Sequence, residues 1–206
     1  MTARIYAEEP ELYDIAFGWD VSAEADWLVE RLGPDCRTVL EPGCGTGRML
    51  AALSDRGLDL TGIDLSEAMV AYAGERVPDA DVVLADMTAF DLDRRYDGAV
   101  CAISTLSLLG RDGLALHLEA MARHLRPGAR YLVQQGLAGD ADDLWRSEWD
   151  AERDGVKLHV VFEALGRDAT LEREESRSRV RVLSGSRAGE VVEDRHTTTY
   201  WTPASR

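Results

Sequence analysis

The stretch Val39-Leu40-Glu41-Pro42-Gly43-Cys44-Gly45-Thr46-Gly47-Arg48-Met49-Leu50 sets three glycines on alternate positions between a short apolar run and a segment of helix formers. Glycines at such a junction either ease the packing of helix on strand or let a ligand approach the backbone where a side chain would block it. In an open α/β sheet, ligands bind beyond the carboxyl ends of the strands, and the first βα turn comes nearest to them. The spacing narrows the ligand. A phosphate-binding loop ends in Gly-Lys-Ser/Thr, but Gly47 is followed by Arg48 and Met49. A G-x-G-x-x-G dinucleotide turn counted from Gly43 requires a third glycine where Arg48 stands.

Working outward, the segment from Asp20 to Pro34 carries Val21, Ala25, Leu28 and Leu32 at helical spacing, with Asp20 or Ser22 as N-cap and Gly33-Pro34 as the stop. Downstream of the glycines the chain alternates. "GRMLAALSDRG" reads as a helix ending at Gly57, "LDLTGID" as a strand, and "SEAMVAYAGER" as a helix closed by Pro78. Strands "DVVLAD" and "YDGAVCAIS" follow, then a helix from Asp112 to Leu125 with Leu114, Leu118, Met121 and Leu125 on one face, then strand "ARYLVQQG". Five strands joined by helices or crossovers predict an α/β fold built on a doubly wound, mainly parallel sheet. After Gly136 the pattern changes. An acidic, aromatic stretch, "DADDLWRSEWD", precedes the alternating runs "VKLHVVFEAL", "ATLEREESRSRVRVL" and "EVVEDRHTTTYW", with turn signals at Gly166-Arg167-Asp168 and Ser184-Gly185-Ser186. These runs read as an appended antiparallel β-meander.

The 206 residues fit one domain. A formal net charge of −15 argues against partners held through phosphates, so the expected partner is a small molecule and neither nucleic acid nor membrane. Arg177, Arg179 and Arg181 alternate along one run and read as a solvated strand face. The opening "MTARIYAEEPELYD" lacks an apolar core of signal-peptide length, and no run approaches the roughly 20 apolar residues that span a bilayer, so a cytoplasmic protein is expected. Cys36, Cys44 and Cys101 are too scattered for a disulfide framework or a zinc site, and no metal is expected. His117 and His124, two turns apart on the Asp112–Leu125 helix, read as partly buried helix-face residues. Lys157, the only lysine, makes Schiff-base chemistry a poor candidate.

Three carboxylates end three successive predicted strands: Glu41, Asp64 and Asp86. Glu41 is a poor neighbour for phosphate and a good one for a cation. Asp64 sits where such folds accept ribose hydroxyls, and Asp86, followed by Met87, is placed to accept from an adenine amino group. With the glycine turn, and with the motifs "LEPGCGTG", "GIDLSEAM", "LADM", "YDGAVCAISTLSLL" and "LRPGARYLV", the chain from about Tyr13 to Gln135 resembles class I (Rossmann-like) methyltransferases that use S-adenosyl-L-methionine. The "ELYDIAF" opening and the meander are similar to the small-molecule and amino-sugar N-methyltransferase branch.

The resemblance implies that the backbone of Gly43, Cys44, Gly45 and Gly47 lies against the cofactor. Glu41 is then near its ammonium, Asp64 on the ribose, Leu65 and Met69 beside the adenine, Asp86 and Met87 on the adenine edge, and Cys101 and Ala102 along the methionine part. Cys44 and Cys101 read as small space fillers. Tyr13 is expected to face the methyl group or the acceptor, and Trp19, Ser104 and Thr105 to line the acceptor pocket. The D/N-P-P-Y/F motif of many nucleic-acid base methyltransferases is replaced by "AISTL", which favours small acceptors. A hydroxyl acceptor usually needs a base, for which His159 and His196 are the histidines outside the Asp112–Leu125 helix; His196 is the catalytic candidate with Tyr13. The expected organisation is a single methyltransferase domain: a helical cover at 1–34, the cofactor-binding core at 35–136 and appended strands at 137–206. Rival readings are a cofactor-binding protein without turnover and a nicotinamide-dependent oxidoreductase, the latter disfavoured by the glycine spacing. Only Ala204-Ser205-Arg206 follow "TTTYWTP", where the family normally continues with a helix and a strand pair. The sheet is therefore expected to have five parallel strands, with the "ARYLVQQ" edge open to self-association.

Overall fold

A computed structural model describes residues 4–136 and 144–201. They form two compact units: Trp19–Gln135, and the residues up to Gly18 together with those from Gly136 onward. The chain opens with α1 (Arg4–Ala7) and α2 (Pro10–Ala16), which belong to the second unit.

The first unit runs α3 (Ser22–Leu32), β1 (Thr38–Pro42), α4 (Arg48–Ser54), β2 (Asp59–Asp64), α5 (Glu67–Arg76), β3 (Asp81–Leu84), β4 (Tyr96–Cys101), a 3-10 turn (Thr105–Leu108), α6 (Arg111–His124) and β5 (Leu125–Val133). All five strands are parallel, in the order β3-β2-β1-β4-β5. The order reverses between β1 and β4, so the ends of these two strands and the glycine turn after β1 share the switch point where ligands enter such sheets. The helices α3, α4 and α5 cover one face. Val21, Ala25, Leu28 and Leu32 are all buried, as their spacing requires, and Gly33 ends α3 at φ 98°. In β2, a Cβ on Gly62 would lie 2.6 Å from Leu50 and 2.8 Å from the Cys44 sulfur, so this glycine permits the close seating of α4.

The opposite face carries Leu40, Ile63, Phe90, Tyr96 and Ala99, covered by Ala120 and Met121 of α6. Here the helix is turned from the expected face. His117, Ala120, Met121 and His124 are buried, whereas Leu118 is 48% exposed. Histidine can displace leucine from a core only when its ring nitrogens are bonded, and both rings meet that condition.

The second unit pairs α1 and α2 with a four-stranded antiparallel sheet, β6 (Arg146–Arg153), β7 (Val156–Asp168), β8 (Arg173–Val182) and β9 (Val191–Thr199), in that order. Leu158, Val160, Val180, Val182 and Val192 bury against Ile5, Leu12, Ile15 and Phe17. Each such side chain contributes about 1.5–3 kcal/mol. Arg153 also pairs with the buried Asp14 of α2. The expected helical cover at 1–34 thus divides at Gly18, because its first half carries the apolar partners of the antiparallel sheet. On the outer face Arg179 pairs with Glu193 at 3.4 Å and Arg195 with Glu175 at 3.3 Å, a solvated face with cross-strand ion pairs.

Two expectations about this sheet need correction. Of "DADDLWRSEWD", read only as acidic and aromatic, 140–143 lie outside the described residues and the rest leads into β6, aligned with β7 from Arg146↔Glu163 to Arg153↔Val156. Charged residues fill its outward positions and hide the alternation of Trp149 and Ala151. Gly166 is no turn: β7 continues to Asp168, with a register shift between Ala164 and Gly166, and the reversal comes after Asp168, whose Oδ1 accepts from the Thr170 and Leu171 amides at 2.9 and 3.1 Å. Among the described residues no helix is long and apolar enough to cross a membrane.

Candidate active site

The glycine turn is built on left-handed backbone, with φ of 68°, 54° and 71° at Gly43, Gly45 and Gly47. Part of the demand for glycine comes from the protein itself: a Cβ on Gly43 would collide with the Thr105 methyl, and one on Gly47 would lie 3.0 Å from Ala73. The amides of Gly43 and Cys44 donate to the Ile63 carbonyl at 2.7 and 3.0 Å, and Gly45 donates to Asp64 Oδ2 at 2.9 Å. Asp64 Oδ1 accepts from the Ser66 amide at 2.9 Å. Burial pushes the Asp64 pKa up, against these amide bonds. The end of β2 therefore fastens the turn after β1, and with the Leu65 amide also bonded to this carboxylate, three amides leave it part of its acceptor capacity.

Glu41 is buried, and its pKa is pushed up to about 8 by that burial, with Arg48 and the Leu50 amide opposing the shift and Asp64 adding to it. Its Oε2 has no hydrogen-bond partner among the described residues. The bond from Leu50 makes Glu41 a capping group for the first turn of α4, where Gly47 offers no side chain. The Arg48 guanidinium lies over the Trp19 ring, 4.5 Å from its centre, which places Trp19 beside this turn.

Beyond β3, Asp86 Oδ1 accepts from the Thr88 amide at 2.8 Å and hydroxyl at 2.7 Å, while the Ala89 amide closes the turn onto the Asp86 carbonyl at 2.9 Å. Leu65 is 65% exposed and Met69 is buried, so of this pair Leu65 offers the apolar surface. Cys44 and Cys101 are both buried. Burial pushes the Cys44 thiol far up and the Cys101 thiol up to about 12, which suits fillers and not nucleophiles. After β4, Ile103 and Ser104 both adopt φ 57°, an unfavourable conformation for a β-branched residue. Gln134 holds it: its Oε1 accepts from the Ile103 amide at 2.9 Å and its carbonyl from the Ser104 amide at 3.1 Å. Thr105 donates its hydroxyl to the Ala102 carbonyl at 2.8 Å and lends its methyl to the Gly43 contact. A cavity of about 550 Å³ opens where β4 and β5 end, lined by Trp27, Met49, Cys101, Ala102, Tyr131 and Gln134 among others.

Tyr13 and His196 lie in the antiparallel unit, and Tyr6 joins them: its ring is 5.6 Å from Tyr13 and 5.3 Å from His196. His196 also stacks on Phe162 at 5.5 Å. Burial lowers its pKa, with Asp194 and Glu174 opposing, and Nδ1 has no partner among the described residues.

Residues 39–128, from β1 into the start of β5, match the methyltransferase domain model. The dTDP-3-amino-3,4,6-trideoxy-alpha-D-glucopyranose N,N-dimethyltransferase of Streptomyces venezuelae is 31% identical over 165 residues, 78% of this chain and 70% of the relative. The chain belongs to the S-adenosyl-L-methionine-dependent methyltransferases. The dTDP-3-amino-3,6-dideoxy-alpha-D-glucopyranose N,N-dimethyltransferase of Streptomyces fradiae is 36% identical over 134 residues, 62% of this chain and 52% of the relative. Among solved structures, Streptomyces venezuelae DesVI superposes with a TM-score of 0.83 at 26% identity, over 97% of this chain and 86% of that one.

As a methyltransferase the chain uses S-adenosyl-L-methionine, and the nicotinamide reading falls. The candidate site is also shaped by residues that the sequence did not single out. Gln134 locks the loop after β4, Arg48 links Glu41 to Trp19, and Tyr131 lines the cavity with its hydroxyl bonded to His117 Nε2 at 2.7 Å. A glutamine just past a strand and a tyrosine within one give no signal until the strands are paired.

Proposed function

We propose that this methyltransferase transfers the methyl group to the amino nitrogen of a small acceptor, an amino sugar being the first choice. The observation that carries the proposal is its 31% identity, over most of its length, to a relative named for N,N-dimethylation of a nucleotide-linked amino sugar. S-adenosyl-L-methionine, when bound, supplies a sulfonium-activated methyl group open to in-line displacement. The residues present suit it. Glu41 Oε2 is a buried carboxylate oxygen lacking a partner among the described residues, which the cofactor's ammonium satisfies. Asp64 takes the ribose hydroxyls on its remaining lone pairs. Asp86 Oδ2 and Met87 read the adenine edge while Leu65 covers the ring, and the backbone of Cys101 and Ala102 borders the methionine part. Gly43, Cys44, Gly45 and Gly47 present main chain without bulk.

A neutral amine attacks without a base, so positioning and exclusion of water do most of the work, and the product ammonium needs only a proton acceptor. We assign Tyr13 and His196 to the acceptor. Burial keeps the His196 imidazole neutral and so able to take a proton. Trp19 and Ser104 are the other acceptor residues; Thr105, with its hydroxyl committed to Ala102, contributes mainly shape. The enzyme is proposed to work in the cytoplasm and to self-associate through β5, which has β4 as its one strand neighbour among the described residues and exposes Val133. Incubation with the cofactor and a panel of amino sugars, small amines and phenols, read as S-adenosylhomocysteine release, tests the function. Release with amino sugars is expected. Release with phenols alone, or tight cofactor binding with no release for any amine, contradicts the proposal and favours the reading without turnover.

A further inference from the structure

We propose that His117 and His124 of α6 are positioning residues that clamp the Asp86–Leu92 segment at both ends and so place its adenine-reading edge. This rests on the assignment of Asp86 and Met87 to the adenine. The segment needs an external hold. It follows β3, a four-residue edge strand with mostly exposed side chains, and among the described residues the bonds of Asp86 stay within its own turn, to Thr88 and Ala89. The Ala85 amide, bonded to the Asp64 carbonyl at 2.9 Å, ties the entry of the segment to β2, and past Asp86 its course depends on what fixes its backbone.

The hold comes from two imidazoles. His117 Nδ1 is 2.9 Å from the Met87 carbonyl, and a carbonyl only accepts, so Nδ1 carries the proton. Its Nε2 is then a lone pair, accepting the Tyr131 hydroxyl at 2.7 Å. Tyr131 also bonds the Cys101 thiol, whose sulfur is 3.7 Å from the Pro42 carbonyl, the residue before Gly43. With its own proton on His117, the Tyr131 oxygen takes the thiol proton, so one chain of bonds runs from Met87 to Cys101 at the end of β4. His124 repeats the arrangement seven residues along, about 10 Å on the helix axis. Its Nδ1 donates to the Ala120 carbonyl at 2.8 Å and its Nε2 accepts the Leu92 amide at 3.0 Å, while its ring packs on Phe90 at 4.4 Å. Both rings act as neutral tautomers of one kind. For His117 burial favours that state, lowering its pKa against the bond to Met87.

A purely structural pair of core histidines would also lower stability when removed, so the test separates adenine preference from stability. Dissociation constants are measured by calorimetry for S-adenosylhomocysteine and for its deaminated analogue, S-inosylhomocysteine, together with thermal unfolding of each protein. The wild type is expected to prefer the adenine ligand by roughly 10-fold or more, the range of a hydrogen bond to a charged group. His117→Ala should bring that preference to within about 3-fold, the other variants showing which bond matters. His117→Asn puts an amide N–H at the Nδ1 position but loses the acceptor for Tyr131; Tyr131→Phe keeps the Met87 bond. Both should unfold at lower temperature yet keep the adenine preference. The inference is overturned if His117→Ala weakens both ligands in step, or if Asn and Phe variants lose the preference in proportion to their stability. A wild type that binds neither ligand overturns the cofactor assignment and this inference with it; one that binds both equally removes only the Asp86–Met87 assignment and the clamp that depends on it.

Discussion

His117 and His196 are half-buried to buried imidazoles held neutral by desolvation, one in each unit, and they differ in one respect. Both ring nitrogens of His117 are bonded, to Met87 and Tyr131, whereas His196 stacks on Phe162 and meets Tyr6 edge to face, with Nδ1 unpartnered among the described residues. Asp64 and Glu41 repeat the contrast within the parallel unit: Asp64 is bonded to amides through both oxygens, and Glu41 leaves Oε2 without a partner among the described residues. A buried polar group with all its partners is part of the scaffold; one without costs free energy that a ligand can recover. Substitution should therefore hurt the scaffold at His117 and the chemistry at His196.

Asp64 probes both roles and should give the largest effect. Asp64→Ala removes the proposed acceptor of ribose hydroxyls and the tether of Gly45, and should weaken S-adenosylhomocysteine binding by about 2–4 kcal/mol. Calorimetry on a variant with unchanged circular dichroism checks this; an unaltered dissociation constant removes Asp64 from the ribose. His117→Ala strands the Met87 carbonyl and Tyr131 hydroxyl, and should cost roughly 2–3 kcal/mol in urea unfolding. A loss as small as that of a surface substitution would erase the contrast with His196.

These tests also mark where the sequence stops being informative. The parallel sheet was legible because its strands are buried runs separated by amphipathic helices, and the glycine turn with Glu41, Asp64 and Asp86 pointed to a candidate site at the strand ends. β6 was not, since its outward charges mask two core-facing residues. Nor could the pattern tell that His117 and His124, read as helix-face residues, bind backbone atoms of a segment 30 or so residues earlier. Periodicity reports which side of a helix is apolar; it is silent on hydrogen bonds to distant main chain. The glycine turn itself was half legible: Gly43 and Gly47 also make room for Thr105 and Ala73, contacts that only the fold creates.

Glu41 sharpens the comparison through pH. The folded protein holds its proton more tightly than the unfolded chain, so the contribution of this group is complete below the ordinary carboxylate range and lost as pH rises through about 8. Across that window the slope approaches about 1.4 kcal/mol for each pH unit. Glu41→Gln should flatten the stability profile of the ligand-free protein between pH 5 and 8, measured by urea titration; an unchanged slope means that the carboxylate is already ionised. His196→Phe should give the smallest change in stability, less than about 1 kcal/mol, because among the described residues Nδ1 has no bond to lose and the stacking on Phe162 is kept. Its turnover with a good acceptor should nevertheless fall, as should that of Tyr13→Phe, with cofactor affinity nearly unchanged in both. Loss of cofactor affinity alone would show these residues to be wrongly assigned to the acceptor.

The central claim is methyl transfer from S-adenosyl-L-methionine to an amine, and the most direct measurement follows the methyl group itself. The protein is incubated with cofactor carrying a carbon-13 methyl and with an amino sugar, and the product is read by NMR. The account predicts an N-methyl resonance growing in step with S-adenosylhomocysteine. Label found on oxygen, or label remaining wholly on the cofactor with every amine supplied to a protein that binds it, would contradict it.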